Sequence, residues 1–181
     1  MEVSDAPTVA HRVLIMGNGG TGKTWLARRL GERFLRPVIH LDDMHWEPGR
    51  YGIARDKAVR DKIVVAAANE DAWIMEGVYG QLASMVLNRV TTLIWIDLPE
   101  QECIANVKER GIQGGETRTQ FDSLVKWIAE YRLRTNNWNS FEAHARLFAK
   151  FSGPKFLLPN REAVNECATT LFGDIGKDPH E

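Results

Sequence analysis

The sequence predicts an α/β fold, a mostly parallel five-stranded sheet with helices on both faces. Three observations carry that expectation. Short apolar runs recur between stretches of helical periodicity. The first run leads straight into a complete G-x-x-x-x-G-K-[ST] phosphate-binding pattern. The length of 181 residues suits one such sheet with its helices.

Taken in order, the strand-like runs fall at 13–16, 37–41, 72–75, 92–98 and 155–158. Helical stretches are expected at about 23–35, 55–69, 81–88, 100–110, 120–135, 140–151 and 161–172. Residues 1–172 are expected to form one domain with a short lid at about 110–119, and 173–181 a flexible tail. In a sheet of this type ligands collect at the carboxyl ends of the strands, so residues just after each strand are the candidates for function.

Gly17, Asn18, Gly19, Gly20, Thr21, Gly22, Lys23 and Thr24 follow the first run. Glycines let the backbone curl so that successive N–H groups and the next helix's positive end face a phosphate chain. Lys23 is placed to reach the β- and γ-phosphates of ATP or GTP, and the Thr24 hydroxyl to sit on Mg²⁺.

After the second run stands Asp42, read either as a carboxylate that takes a proton from an acceptor hydroxyl or as a turn cap. Trp46 follows, as a stacking wall or a loop anchor. The set Asp42, Asp43 and His45 lacks further ligands at metal-binding spacing. Glu76-Gly77-Val78-Tyr79-Gly80 follows the third run, a carboxylate beside two glycines. Asp97 ends the fourth, either ordering Mg²⁺ water or capping the next helix. The segment KERGIQGGETR then places Arg110 and Arg118 on a glycine-hinged stretch, with Arg132 and Arg134 beyond. Such arginines close over a γ-phosphate in phosphoryl-transfer enzymes.

Composition narrows the classes. With 44% hydrophobic and 26% charged residues the chain reads as an ordinary globular protein. A net charge of −1 argues against general nucleic-acid binding. Between 108 and 161, however, ten Lys/Arg stand against five Asp/Glu, which suits a phosphate-handling lid or a solvated helical face. Cys103 and Cys167 form no paired motif, and no apolar run approaches the roughly 18 residues of a membrane span. A reduced, cytoplasmic setting is expected, with a monomer or small homo-oligomer and no membrane partner.

The Asp-x-x-Gly and Asn-Lys-x-Asp motifs of Ras-like GTPases are absent from the sequence. The compact pattern instead resembles the small P-loop kinases for nucleoside monophosphates, shikimate and gluconate. HLDDMHWEPG, WIMEGVYG, LIWIDLPEQ and WIAEYRLR together resemble the adenylate-kinase-like proteins of the DNA topology modulation (FlaR-type) group. The resemblance runs from Val13 to about Phe172. It implies a nucleoside-monophosphate-kinase-like fold with ATP on Gly17–Thr24. It implies an acceptor near Asp42, Trp46, Glu76 and Tyr79, and arginines from Arg110, Arg118, Arg132 and Arg134.

Two departures stand out. The group's Asp-Gly-Asn-Tyr is Glu76-Gly77-Val78-Tyr79 here, and the lid is shorter. Adenylate kinases also carry an arginine just after their acid-glycine pair, whereas 78–85 holds none, leaving Arg50 or Arg55 to replace it. The resulting expectation is an ATP/Mg²⁺-dependent kinase for a small molecule, with a nucleoside monophosphate as one acceptor. The alternative is a nucleotide-dependent regulatory or binding protein with slow ATP hydrolysis, linked to DNA topology.

Overall fold

The computed structural model describes residues 11–50, 52–113 and 115–170. The expected tail and Gly114 of the expected lid lie outside them. Five strands form one sheet: β1 (Arg12–Gly17), β2 (Val38–His40), β3 (Trp73–Gly77), β4 (Thr92–Ile96) and β5 (Lys155–Leu158). Their order is β2-β3-β1-β4-β5 and every pairing is parallel. The helices are α1 (Lys23–Phe34), α2 (Leu41–His45), α3 (Lys57–Ala68), α4 (Gly80–Val86), α5 (Glu100–Arg110), α6 (Arg118–Ala129), α7 (Phe141–Lys150) and α8 (Arg161–Thr169).

Side chains alternate across a strand, so β1 to β4 each feed two cores, while β5 at the edge feeds one. Val13 and Ile15 of β1 join Ile74, Ile94 and Ile96 under α1, α5, α6 and α8. Leu14 and Met16 join Trp73, Met75, Leu93 and Trp95 against α2, α3, α4 and α7. Burial on both faces explains why the strands read as unbroken apolar runs rather than alternating ones. With β1 flanked by β3 and β4, the loop after β1 opens at the middle of the sheet's carboxyl edge.

Three of the boundaries that differ from expectation bear on the site. β2 is only three residues long, and Leu41 begins α2 at once, which puts Asp42 in a helical first turn. α6 starts at Arg118, where Thr117 and Gln120 form a reciprocal capping box. It stops at Ala129, whereas periodicity carried the helix to 135. The physical reason lies in Tyr131 and Arg134. Tyr131 turns into the core at 0% exposure, and the Arg134 guanidinium takes the backbone carbonyls of Trp127 and Asn139. Residues 130–140 are therefore a stitched connector instead of a last helical turn. Among the described residues, no helix is long and apolar enough to cross a membrane.

Candidate functional site

The loop between β1 and α1 is wired to itself and to α6. Gly20 has φ +77°, and a Cβ there would stand 2.3 Å from the Cys103 carbonyl oxygen. Only glycine fits that approach. The Asn18 amide accepts from the Gly19 N–H at 2.8 Å and donates to the Ile128 carbonyl at 2.9 Å. Lys23 is 9% exposed, and its ammonium donates to the Asn18 carbonyl at 2.6 Å. Burial pushes its pKa below the ordinary lysine value, against the opposing pull of Glu76 and Asp42.

Glu76, one residue before the end of β3, stands in parallel register with His40, the last residue of β2. Its Oε1 accepts from the Thr24 hydroxyl at 3.0 Å and lies 2.7 Å from His40 Nδ1. Burial acts to raise the Glu76 carboxyl, but His40, the Lys23 charge and Thr24 outweigh it and hold its pKa below the usual range. The same pairing raises His40. Thr24 and Glu76 are hard oxygen donors, and no group of three His, Cys, Asp or Glu metal ligands occurs among the described residues. That donor set fits Mg²⁺, which keeps waters and phosphate oxygens in most of its six positions.

Across the cleft, α2 and the loop after β3 form a second wall. The Tyr79 hydroxyl donates to Asp42 Oδ1 at 2.5 Å, and the His45 ring stacks on Tyr79 at 4.4 Å with Trp46 edge-on to His45. Burial, then the Arg60 charge, lowers the His45 pKa. Trp46 and Ala54 pair as an antiparallel bridge, and Arg55 N donates back to the His45 carbonyl. A small flap therefore begins at Trp46. The two walls enclose a cleft of about 1510 Å³ that contains Lys23, Thr24, Asp42, Trp46, Glu76, Tyr79 and Arg110.

Five expected site residues are placed elsewhere. Asp97 does not reach Thr24: its carboxylate accepts from Arg132 at 2.6 Å and stands outside the cleft lining. Burial, only partly offset by Arg132, raises the Asp97 pKa. Arg132 also pairs with Glu100 at 2.7 Å and lies over Phe141, so it closes a structural junction rather than facing the cleft. Arg118, 77% exposed, pairs with Asp122 one turn along α6. Arg55 donates to the Asp43 and Trp46 carbonyls and holds the flap's base. Arg134 is spent on backbone carbonyls, and its guanidinium lies 4.1 Å over the Trp127 ring.

The sequence reading missed other residues that matter here. Arg28 and Arg29 line the cleft from α1. Arg28 lies one helical turn beyond Thr24, a periodicity that was available. A buried relay was not foreseen either. Trp95 Nε1 donates to the Tyr131 hydroxyl at 3.3 Å, and that hydroxyl lies 2.6 Å from His144 Nδ1. His144 Nε2 lies 3.0 Å from the Val78 carbonyl, which can only accept. Nε2 therefore carries the proton, Nδ1 accepts from Tyr131, and the imidazole is neutral. Burial depresses its pKa to about 4. The relay fixes the backbone between Glu76 and Tyr79 from behind.

No family model matches the chain, and no curated protein matches it in sequence. Solved structures do match. A gluconokinase from Sinorhizobium meliloti 1021 is 14% identical with a TM-score of 0.58, over 90% of this chain and 91% of that one. A shikimate kinase from Aquifex aeolicus vf5 is 13% identical, TM-score 0.53, over 87% and 91%. Another, from Bacteroides thetaiotaomicron, is 14% identical, TM-score 0.52, over 87% and 94%. The likeness is one of fold: the chain has the parallel five-stranded architecture of P-loop kinases.

Proposed function

We propose that this chain is an ATP- and Mg²⁺-dependent phosphotransferase acting on a small-molecule acceptor. One observation carries the reading. Lys23 and the Thr24–Glu76 pair face the Asp42–Tyr79 pair within a single cleft, a phosphate-holding wall opposite a hydrogen-bonding wall. The fold neighbours are named as kinases, which supports the same class of reaction.

In this reading the loop amides and Lys23 hold the β- and γ-phosphates, and charge building on the transferred group is met by Lys23 and Arg110. Thr24 and Glu76 would hold Mg²⁺, which would supply positive charge against the phosphates. His40 fixes Glu76 at its carboxylate. Asp42 orients the acceptor, and the segment 110–119 closes to exclude water. The adenylate-kinase-like resemblance supports the nucleotide half of this reading. Lys23→Ala removes the ammonium while the glycines keep the loop shape. ADP release with ATP and Mg²⁺ is expected to fall at least a hundredfold, about 2.7 kcal/mol of barrier. A folded Lys23→Ala variant that turns over ATP at the unmutated rate overturns the assignment.

A further inference from the structure

Asn18 stands where the phosphate loop, Lys23 and α6 meet, and it is fully buried. Its carbonyl accepts from the Lys23 ammonium at 2.6 Å and from the Thr21 hydroxyl at 3.1 Å. Its side chain accepts from the Gly19 N–H and donates to the Ile128 carbonyl at 2.9 Å. The side-chain amide is thus fixed on both sides, and its donor reaches the last turn of α6, 110 residues away.

The contact continues in apolar atoms. A Cβ on Gly19 would stand 3.0 Å from Ile128 Cγ1, so the end of the helix rests on the backbone of the loop. Leu124, Trp127 and Ile128, at helical spacing on one face of α6, line the cleft. That face is therefore a wall of the cleft and a support of the loop together. The last turn of a helix leaves carbonyls without partners of its own. Here Arg134 takes that of Trp127, while Asn18 and the Tyr131 N–H share that of Ile128.

From this arrangement we infer that Asn18 is a positioning residue that couples filling of the phosphate loop to the seating of α6; the inference rests on the kinase reading above. An ammonium has three N–H donors, and one of them holds the Asn18 carbonyl. Two remain for phosphate oxygens, so Lys23 bridges a bound phosphate and the Asn18 peptide. Phosphate charge offsets the cost of burying the ammonium and holds it in place. The Asn18 peptide then has less freedom, its amide keeps its donor on Ile128, and the end of α6 is held more tightly. By linkage the reverse holds too: a seated α6 favours nucleotide, and a loosened one weakens it by the same factor. Asn18 touches no reacting atom in this scheme. It acts through Lys23 on one side and Ile128 on the other.

The test uses ADP–Mg²⁺ and the full chain. Calorimetry reads the affinity, and hydrogen exchange reads amides 126–131 with and without saturating ADP–Mg²⁺. In the unmutated chain ADP–Mg²⁺ is expected to slow exchange there more than across α3. Asn18→Asp keeps the size and the acceptor for Gly19 but puts a carboxylate oxygen where the donor to Ile128 was. Asn18→Ala removes the donor without burying a charge, and stands in where the aspartate variant does not fold. In either variant the added slowing at 126–131 is expected to vanish. Affinity for ADP–Mg²⁺ is expected to fall roughly fivefold to 150-fold, the usual range for coupled sites. A residue that served stability alone would speed exchange in both states and leave the slowing by ADP–Mg²⁺ intact; that result overturns the inference. So does an unmutated chain that binds ADP–Mg²⁺ with no added slowing at 126–131, and the kinase reading then stands. No binding of ADP–Mg²⁺ by the unmutated chain overturns both.

Discussion

Arg110 and Arg118 stand on the N-terminal side of α6, Arg132 and Arg134 on its C-terminal side, and in sequence the two pairs look alike. The structure separates them. Arg110 faces the cleft and Arg118 spans one exposed turn of its own helix. Arg132 instead ties residues 130–140 to Asp97 and Glu100 beyond β4, and Arg134 ties them back onto α6 through the Trp127 carbonyl and to one another through that of Asn139. An arginine becomes structural where a folded chain offers it convergent carbonyls or carboxylates, and stays available for a ligand where it does not. A helix that ends early creates such carbonyls, because its last turn leaves them unpaired.

That contrast can be broken at the connector first. His144 is fully buried and neutral, and its folded pKa of about 4 lies below the ordinary value of 6.5. The unfolded chain therefore takes up the proton first. The contribution is complete above pH 6.5 and is lost as pH falls toward 4, at up to about 1.4 kcal/mol per pH unit. Denaturant melts between pH 7 and pH 4 are expected to show this slope, and His144→Gln to flatten it. An equal slope in the variant would assign the acid sensitivity to other groups.

On the cleft side, Arg110→Ala is expected to lower phosphoryl transfer by roughly 10²-fold with little change in melting temperature. Steady-state kinetics beside calorimetry would show it; a loss of stability in place of activity would put Arg110 with the connector. Arg134→Ala should behave oppositely. Removing a partly buried cation from two carbonyls and a tryptophan face is expected to cost about 2 kcal/mol of stability. Arg118→Ala is expected to change stability by about 0.3 kcal/mol and activity hardly at all, since its ion pair is exposed. An effect of tenfold or more on rate would mean that Arg118 enters the cleft during turnover.

The glycine-rich loop between β1 and α1 was legible because it is local. Eight consecutive residues specify the loop, and the run before it and the helix after it place it on the sheet. The sheet itself was legible because runs buried on two faces contrast sharply with helical periodicity. What escaped are pairings across long separations. Glu76 and Asp97 both stand within one residue of the carboxyl ends of strands that flank β1, so position alone does not choose between them. The choice is made by Arg132, which captures Asp97 from 35 residues away, and by His40, whose register with Glu76 needs the strand order. The flap from Trp46 and the Tyr131–His144 relay depend likewise on contacts between segments, which a pattern of apolar spacing does not encode.

The segment between α5 and α6 is tied at both ends. Gly111 N closes onto the Val107 carbonyl, and Thr117 caps α6 through its reciprocal box with Gln120. α6 is in turn riveted to the phosphate loop through Asn18 and Ile128. The stretch between these ties is thus a cassette. The ties at its two ends stay in place when its length changes, and each doubling of loop length costs only about 0.6 kcal/mol in closure entropy. A chain built this way can accept a longer segment between α5 and α6 while the loop beneath keeps its ties.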